Sequence, residues 1–325
     1  MLRVLGRRIA TGILTLFLVT LFVFLLIHLS PGTPLAAAME SEGLTQVTPQ
    51  IRAELERLYH LDRPLHVQYA LWLRGLAQGD LGRSFHDRRP VAEKIRERLG
   101  ISVAINGLAL LCMVLLAVPL GALSAWRPGS WLDRYSSWIT YAAYAIPVFW
   151  AALMLQIVFA VRLGWLPLAG LDSDGWESMG MVQRTADRLW HLILPVACLS
   201  LGGLAYLSRF VRATLLENTA AETALAARAR GLSSLAVMLR HGFRQAAVPM
   251  LTLAGLLLPA VVSGSVIVEN IFAIPGLGRL FVDAAFQRDL PVLMALTLLS
   301  GAATLLGILA ADLTYAIVDP RIRRG

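Results

Sequence analysis

Metal or nucleophilic chemistry in this 325-residue chain would have to rest on six histidines and two cysteines, and their placement supports neither. His28, His60, His66, His86, His191 and His241 are dispersed, with no metal-ligand spacing, and Cys112 and Cys198 have no paired partner. An intramembrane protease would need paired aspartates, a Ser and His pair, or a His-Glu metal motif inside apolar segments, and none is present. A phosphate-cradling Gly-x-x-x-x-Gly-Lys loop is also missing, so the chain is expected not to hydrolyse ATP. These residues predict no catalytic centre, no metal and no cofactor bound by this chain.

The elements that any functional residue must sit on are set by hydrophobicity. The chain is 57% hydrophobic and only 15% charged, too apolar for an ordinary soluble domain of this length. Six stretches, at roughly 9–29, 101–125, 137–160, 190–208, 247–270 and 292–318, are long enough to cross about 30 Å of hydrocarbon as helices. The expected fold is an all-α polytopic membrane protein with six transmembrane helices, a helical outer-loop region and a cytoplasmic helical loop. The first stretch, at about 20 residues, exceeds a signal-peptide core of about 7–15, so it is expected to stay as a membrane anchor although Arg3, Arg7 and Arg8 precede it and Ala36, Ala37 and Ala38 follow.

Basic residues orient the spans. With the N-terminus inside, Arg3, Arg7, Arg8, Arg127, Arg134, Arg209, Arg212, Arg228, Arg230, Arg240, Arg244, Arg321, Arg323 and Arg324 fall on the cytoplasmic side. The short outer loops then hold only Arg162, Arg184, Arg188, Arg279 and Arg288. Both termini are therefore expected in the cytoplasm. The net charge of +8 follows the membrane edges instead of forming one basic face, which argues against nucleic acid as a partner. Inside the spans ionisable groups are scarce: His28, Glu269 and Asp312 lie towards ends, and neutral Asn106 and Gln156 lie deeper. No proton relay is visible, so the driving force is expected to enter from elsewhere.

Two segments outside the spans carry helical signals. In residues 30–100, Thr48 caps and Pro49 opens a helix with Ile51, Leu55 and Leu58 on one face. Pro90 opens a second with Val91, Ile95 and Leu99, and Gly79, Asp80, Leu81, Gly82 and Ser84 between them read as a turn. This region is either a covered loop or a rim that receives a soluble partner. In residues 209–246, helix formers from Glu222 to Arg230 precede Gly231, placed to end the helix in a left-handed conformation. Ser233 or Ser234 then caps a second helix with Leu235, Met238 and Leu239 on one face. The arginines of this helix-Gly-helix could face lipid phosphates, or the pair could dock on a cytoplasmic partner. Ser263, Gly264 and Ser265 read as close helix packing before substrate contact, and Pro119, Pro147, Pro195 and Pro259 interrupt spans, either as ordinary prolines of membrane helices or as kinks around a pathway.

The run Ala227, Arg228, Ala229, Arg230, Gly231, Leu232, followed by His241 and Pro249, resembles the cytoplasmic coupling loop of binding-protein-dependent ABC importers. With it, Pro31, Gly32 and Pro34, the turn from Gly79 to Ser84, Glu269 to Leu280 (ENIFAIPGLGRL) and Asp312 to Arg323 (DLTYAIVDPRIR) resemble the dipeptide, oligopeptide and nickel permease family, of the type with a large first outer loop. The likeness runs from Arg7 to Arg324 with its motifs in order. It implies a bacterial inner-membrane permease subunit forming half of a pathway for di- or oligopeptides. Its organisation would be a cytoplasmic N-terminus and first span (1–29), an outer helical region (30–100) and a five-helix core (101–325). The implied partners are a homologous second permease, two ATP-binding cassette ATPase subunits or domains that hold ATP and Mg, an extracytoplasmic substrate-binding protein, and membrane lipid. The resemblance assigns coupling to the ATPase to Glu222, Ala226, Ala227, Arg228, Arg230, Gly231, Leu232 and Ser233.

The chain departs from the family pattern where Thr33 replaces an acidic residue and where Thr223 and Leu225 replace the common Tyr and Arg. Nickel chelates, glutathione or another small solute remain alternative cargoes. A membrane receptor or intramembrane enzyme remains the alternative of a different class.

Overall fold

The computed structural model describes residues 2–29, 62–220, 222–246, 250, 257, 260–262 and 264–318. Among them the chain is all-α, apart from one isolated bridge between Arg83 and Pro90. Among the described residues four helices are long and apolar enough to span a membrane: α1 (Leu2–Leu29), α3 (Val91–Trp126), α6 (Met181–Ala220) and α11 (Leu290–Val318). Short α2 (Leu65–Ala77) precedes α3, and α9 (Val266–Ile271) and α10 (Leu277–Phe286) precede α11. The expected helix around Thr48, Pro49 and Ile51 lies outside the described residues, as does half of the apolar stretch 247–270.

The stretch expected to be a single span at 137–160 is not straight. It consists of α4 (Trp131–Ala145) and α5 (Val148–Leu155), the latter running on as a π-helical turn through Arg162, with a bend of 102° at the junction. The cause is local. Ile146 is extended (φ −81°, ψ 122°) and Pro147 has no N–H to continue the ladder. Pro119 and Pro195 lie within helices, α3 and α6.

Contacts divide the chain into two compact units. The first comprises Met1–Ser102, Val262–Val266 and Pro275–Leu305. Here Pro90 opens α3, with Val91 and Ile95 buried against Leu277, Leu280, Ala284 and Val292, so the expected second helix start and the second span form one helix. Phe24, Tyr69, Phe85, Leu290 and Met294 make a second cluster, in which the Tyr69 and Thr20 hydroxyls lie 2.9 Å apart. The expected Gly-Asp-Leu-Gly turn is present: Gly79 and Gly82 have φ of 78° and 80°, and Asp80 Oδ1 accepts the Gly82 N–H at 2.8 Å.

A buried polar network follows that turn. Ser84 donates to Asp289 Oδ2, the Phe85 N–H donates to Oδ1 at 3.0 Å, and Lys94 Nζ reaches Ser84 Oγ at 3.1 Å and Asp87 Oδ2 at 2.8 Å. Burial pushes the Asp87 carboxyl up, but hydrogen bonds from Lys94 and the Arg89 N–H, together with the Lys94 charge, outweigh it and hold the group below its ordinary 3.8.

Gly278, in the Glu269–Leu280 motif, marks the tightest backbone approach in this unit. A Cβ there would stand 2.6 Å from Val266 N and 2.7 Å from Ser265 C, both main chain, which cannot rotate away. Gly278→Ala is therefore expected to cost about 1–3 kcal/mol by overpacking, read as a lower melting temperature of the detergent-solubilised protein. An unchanged melting temperature would show that this approach is loose.

The second unit comprises Val103–Val261, Ile267–Ile274 and Leu306–Gly325. Its core gathers Met113, Ala117, Leu207, Val211, Leu215 and Met238. Gly121 lets α3 approach α6 so closely that a Cβ would sit 2.4 Å from the Ser208 carbonyl oxygen. Buried Gln156 donates to the carbonyls of Leu168 at 2.8 Å and Ile271 at 3.2 Å, while Ser200 donates to that of Ala109 at 3.1 Å.

Candidate functional site

The helix-Gly-helix lies in this second unit. Residues 209–220, expected outside the spans, are the last turns of α6. Next comes α7 (Glu222–Ala229), built from Ala, Leu and Arg, with Glu222 in its first turn and Arg228 in its last, the signs that suit the helix dipole.

Gly231 ends α7 in the left-handed region, at φ 90°. Its N–H donates to the Arg228 carbonyl at 2.8 Å and the Leu232 N–H reaches back to that of Ala227 at 3.3 Å, the paired bonds of a Schellman cap. The apolar contact that accompanies such a cap is present: Leu232 packs on Ala224, Ala227 and Val237. Ser233 is the residue that caps the next helix, accepting the Ala236 N–H at 3.3 Å. That helix, α8 (Ser234–Val237), continues as a π-helical turn over Met238–Gly242.

The structure thus brings the eight expected residues together and sorts them. Ala227 is buried and Leu232 half-buried, so they hold the angle between the helices, while Glu222, Ala226, Arg228, Arg230, Gly231 and Ser233 are exposed. One expectation is corrected. Leu235, Met238 and Leu239 do not share a face: Met238 is buried beside Val237, whereas Leu235 and Leu239 are 40% and 55% exposed, so the inward face runs through Val237 and Met238. Leu225 is 52% exposed beside Arg228 in α7. The pair therefore presents exposed leucines among exposed arginines.

Among the described residues, four apolar helices of membrane length, a further bent pair and an all-α architecture define a polytopic membrane protein. The family is then given by comparison. The chain belongs to the binding-protein-dependent transport system inner membrane component family, whose model matches residues 117–324, and the model for the N-terminal part of the membrane component of such systems matches residues 1–106.

Relatives include the oligopeptide transport system permease protein AppB of Bacillus subtilis, 38% identical over 97% of this chain and 98% of that one. The dipeptide transport system permease protein DppB of Alkalihalophilus pseudofirmus is 33% identical over 98% of each. The glutathione transport system permease protein GsiC of Escherichia coli is 36% identical over 99% of each. Among solved structures, an inward-facing MetNI methionine ABC transporter chain superposes with a TM-score of 0.51, covering 70% of this chain and 97% of that one. At 18% identity this likeness speaks for the fold.

Proposed function

We propose that this chain is one of two permease subunits of an ATP-driven importer for di- or oligopeptides, with six spans and both termini in the cytoplasm. A substrate-binding protein delivers the peptide, and ATP and Mg are handled by partner ATPase subunits. The helix-Gly-helix is the element that carries ATPase movement to the spans. The observation that supports this most is the capped turn at Gly231, in which buried Ala224, Ala227 and Val237 fix an angle while Leu225, Arg228, Arg230 and Leu239 stay exposed for a partner. The peptide cargo is supported by relatives named for oligopeptides, dipeptides and glutathione, which share the amide-linked backbone.

The test is purification of the tagged chain from membranes, followed by reconstitution with the proteins that come with it. Co-purification of ATPase subunits and a second permease is expected, with uptake of a labelled tripeptide that requires ATP and the binding protein and is not displaced by Ni(II). Uptake without ATP would refute the reading. Cysteines at positions 2 and 325 are expected to react only from the cytoplasmic side, and periplasmic labelling of either would reverse the topology.

A further inference from the structure

The bend between α4 and α5 interrupts the backbone at an unusual place. Cys198 Sγ donates to the Val148 carbonyl at 3.4 Å, and Cys198 lies near the centre of the apolar stretch 190–208 of α6. The break therefore sits beside the middle of a span, not at its edge.

Across it the helical ladder lapses. Pro147 has no N–H for the Ala143 carbonyl, and the first backbone bond beyond the break is that of the Ala151 N–H to the Pro147 carbonyl at 3.0 Å. Ala145, Ile146 and Pro147 are all exposed on this chain. Backbone in this condition is not tolerated against lipid; it persists where protein covers it or where it borders a water-filled path.

A second observation favours water. At the end of α4, exposed Tyr141 and Tyr144 flank the Arg209 guanidinium, which lies 4.5 Å and 5.2 Å from their ring centres and donates to the Ala205 carbonyl at 3.1 Å. Arg209 stands at the cytoplasmic end of the apolar stretch of α6, so its guanidinium and the two phenols form a polar strip that runs from that end towards the break and that hydrocarbon would not solvate.

We propose that the break at Ala145–Ile146–Pro147 is a substrate-contact point of the translocation pathway, where main-chain carbonyls accept hydrogen bonds from the N–H groups of a passing peptide. The inference rests on the peptide-importer reading above. The extended backbone at Ile146 matches an extended peptide, and Arg209 with Tyr141 and Tyr144 supplies donors for a peptide carboxylate.

The experiment uses the assembled complex in proteoliposomes, in a chain carrying Cys112→Ala and Cys198→Ser, with Ile146→Cys or, as a second position, Ala145→Cys. Labelling is followed with a charged methanethiosulfonate and with membrane-permeant N-ethylmaleimide, with and without binding protein, ATP and trialanine. The charged reagent is expected to react, and trialanine under turnover to slow it at least threefold. Reaction with N-ethylmaleimide alone would place the break against lipid, and reaction with neither would place it under a partner chain. Charged labelling that imported trialanine leaves unchanged would show water without contact. Each of these three overturns the proposal. Uptake of trialanine by the parent complex is measured first: if there is none, the peptide reading fails, while water access at position 146 is still read.

Discussion

Gly231→Val is expected to leave the protein in the membrane at parental level while reducing both ATPase stimulation and uptake at least tenfold. No atom lies within 4 Å of a Cβ added at this position, so crowding plays no part. The penalty is conformational. A β-branched residue at φ 90° costs about 2 kcal/mol, roughly a thirtyfold fall in the population of the native turn. What is lost with the turn is the pair of bonds to the Ala227 and Arg228 carbonyls, and with them the angle at which Arg228, Arg230, Leu235 and Leu239 are presented. Gly231→Asn, which tolerates the left-handed region, should recover most of the activity. Membrane abundance, stimulated ATP hydrolysis and uptake in reconstituted complexes separate the effects. Near-parental stimulation and uptake in the Val variant would reduce this segment to a linker.

Gly231 was legible in the sequence because a single glycine after a run of strong helix formers has few other uses, and a serine two positions on completes the pattern. Val91 and Ile95 were legible for a similar reason: proline marks the helix start and apolar spacing gives its buried face. Pro147 was legible as an interruption of the stretch 137–160, but the 102° size of the bend was not, because hydropathy averages across both halves of a broken helix and proline is common in membrane spans. Asp289 was not legible either. It stands in a short loop between helices, where an aspartate is ordinarily solvated, and the Ser84 and Phe85 groups that bury it lie 205 and 204 residues away. Met238 was placed with the wrong neighbours, since spacing alone does not say which side of a short helix meets the core of Leu207, Val211 and Leu215. Local capping and spacing write themselves into a sequence; partners brought together by folding do not.

Removing the guanidinium of Arg212 should damage the second unit more than removing its partner along with it. Arg212 Nε and Nη2 donate to the two carboxylate oxygens of Asp133 at 2.6 Å and 2.8 Å, and the Gly129 N–H adds a third bond at 2.9 Å. The Asp133 side chain is only 6% exposed, whereas that of Arg212 is 33% exposed. Arg212→Leu therefore strands a buried carboxylate with one remaining donor, whose cost, discounted for the solvent that reaches Arg212, is about 2–3 kcal/mol. Asp133→Leu leaves a cation that can turn towards water, at a smaller cost of about 1 kcal/mol beyond the lost bond to Gly129. The double variant lacks both charges, so its loss should fall short of the sum of the single losses by about 1–2 kcal/mol. Melting temperatures of the four proteins in one detergent give the cycle. Additive losses would mean that the two residues do not act as a pair, and that the end of α6 is held to the start of α4 by its apolar contacts alone.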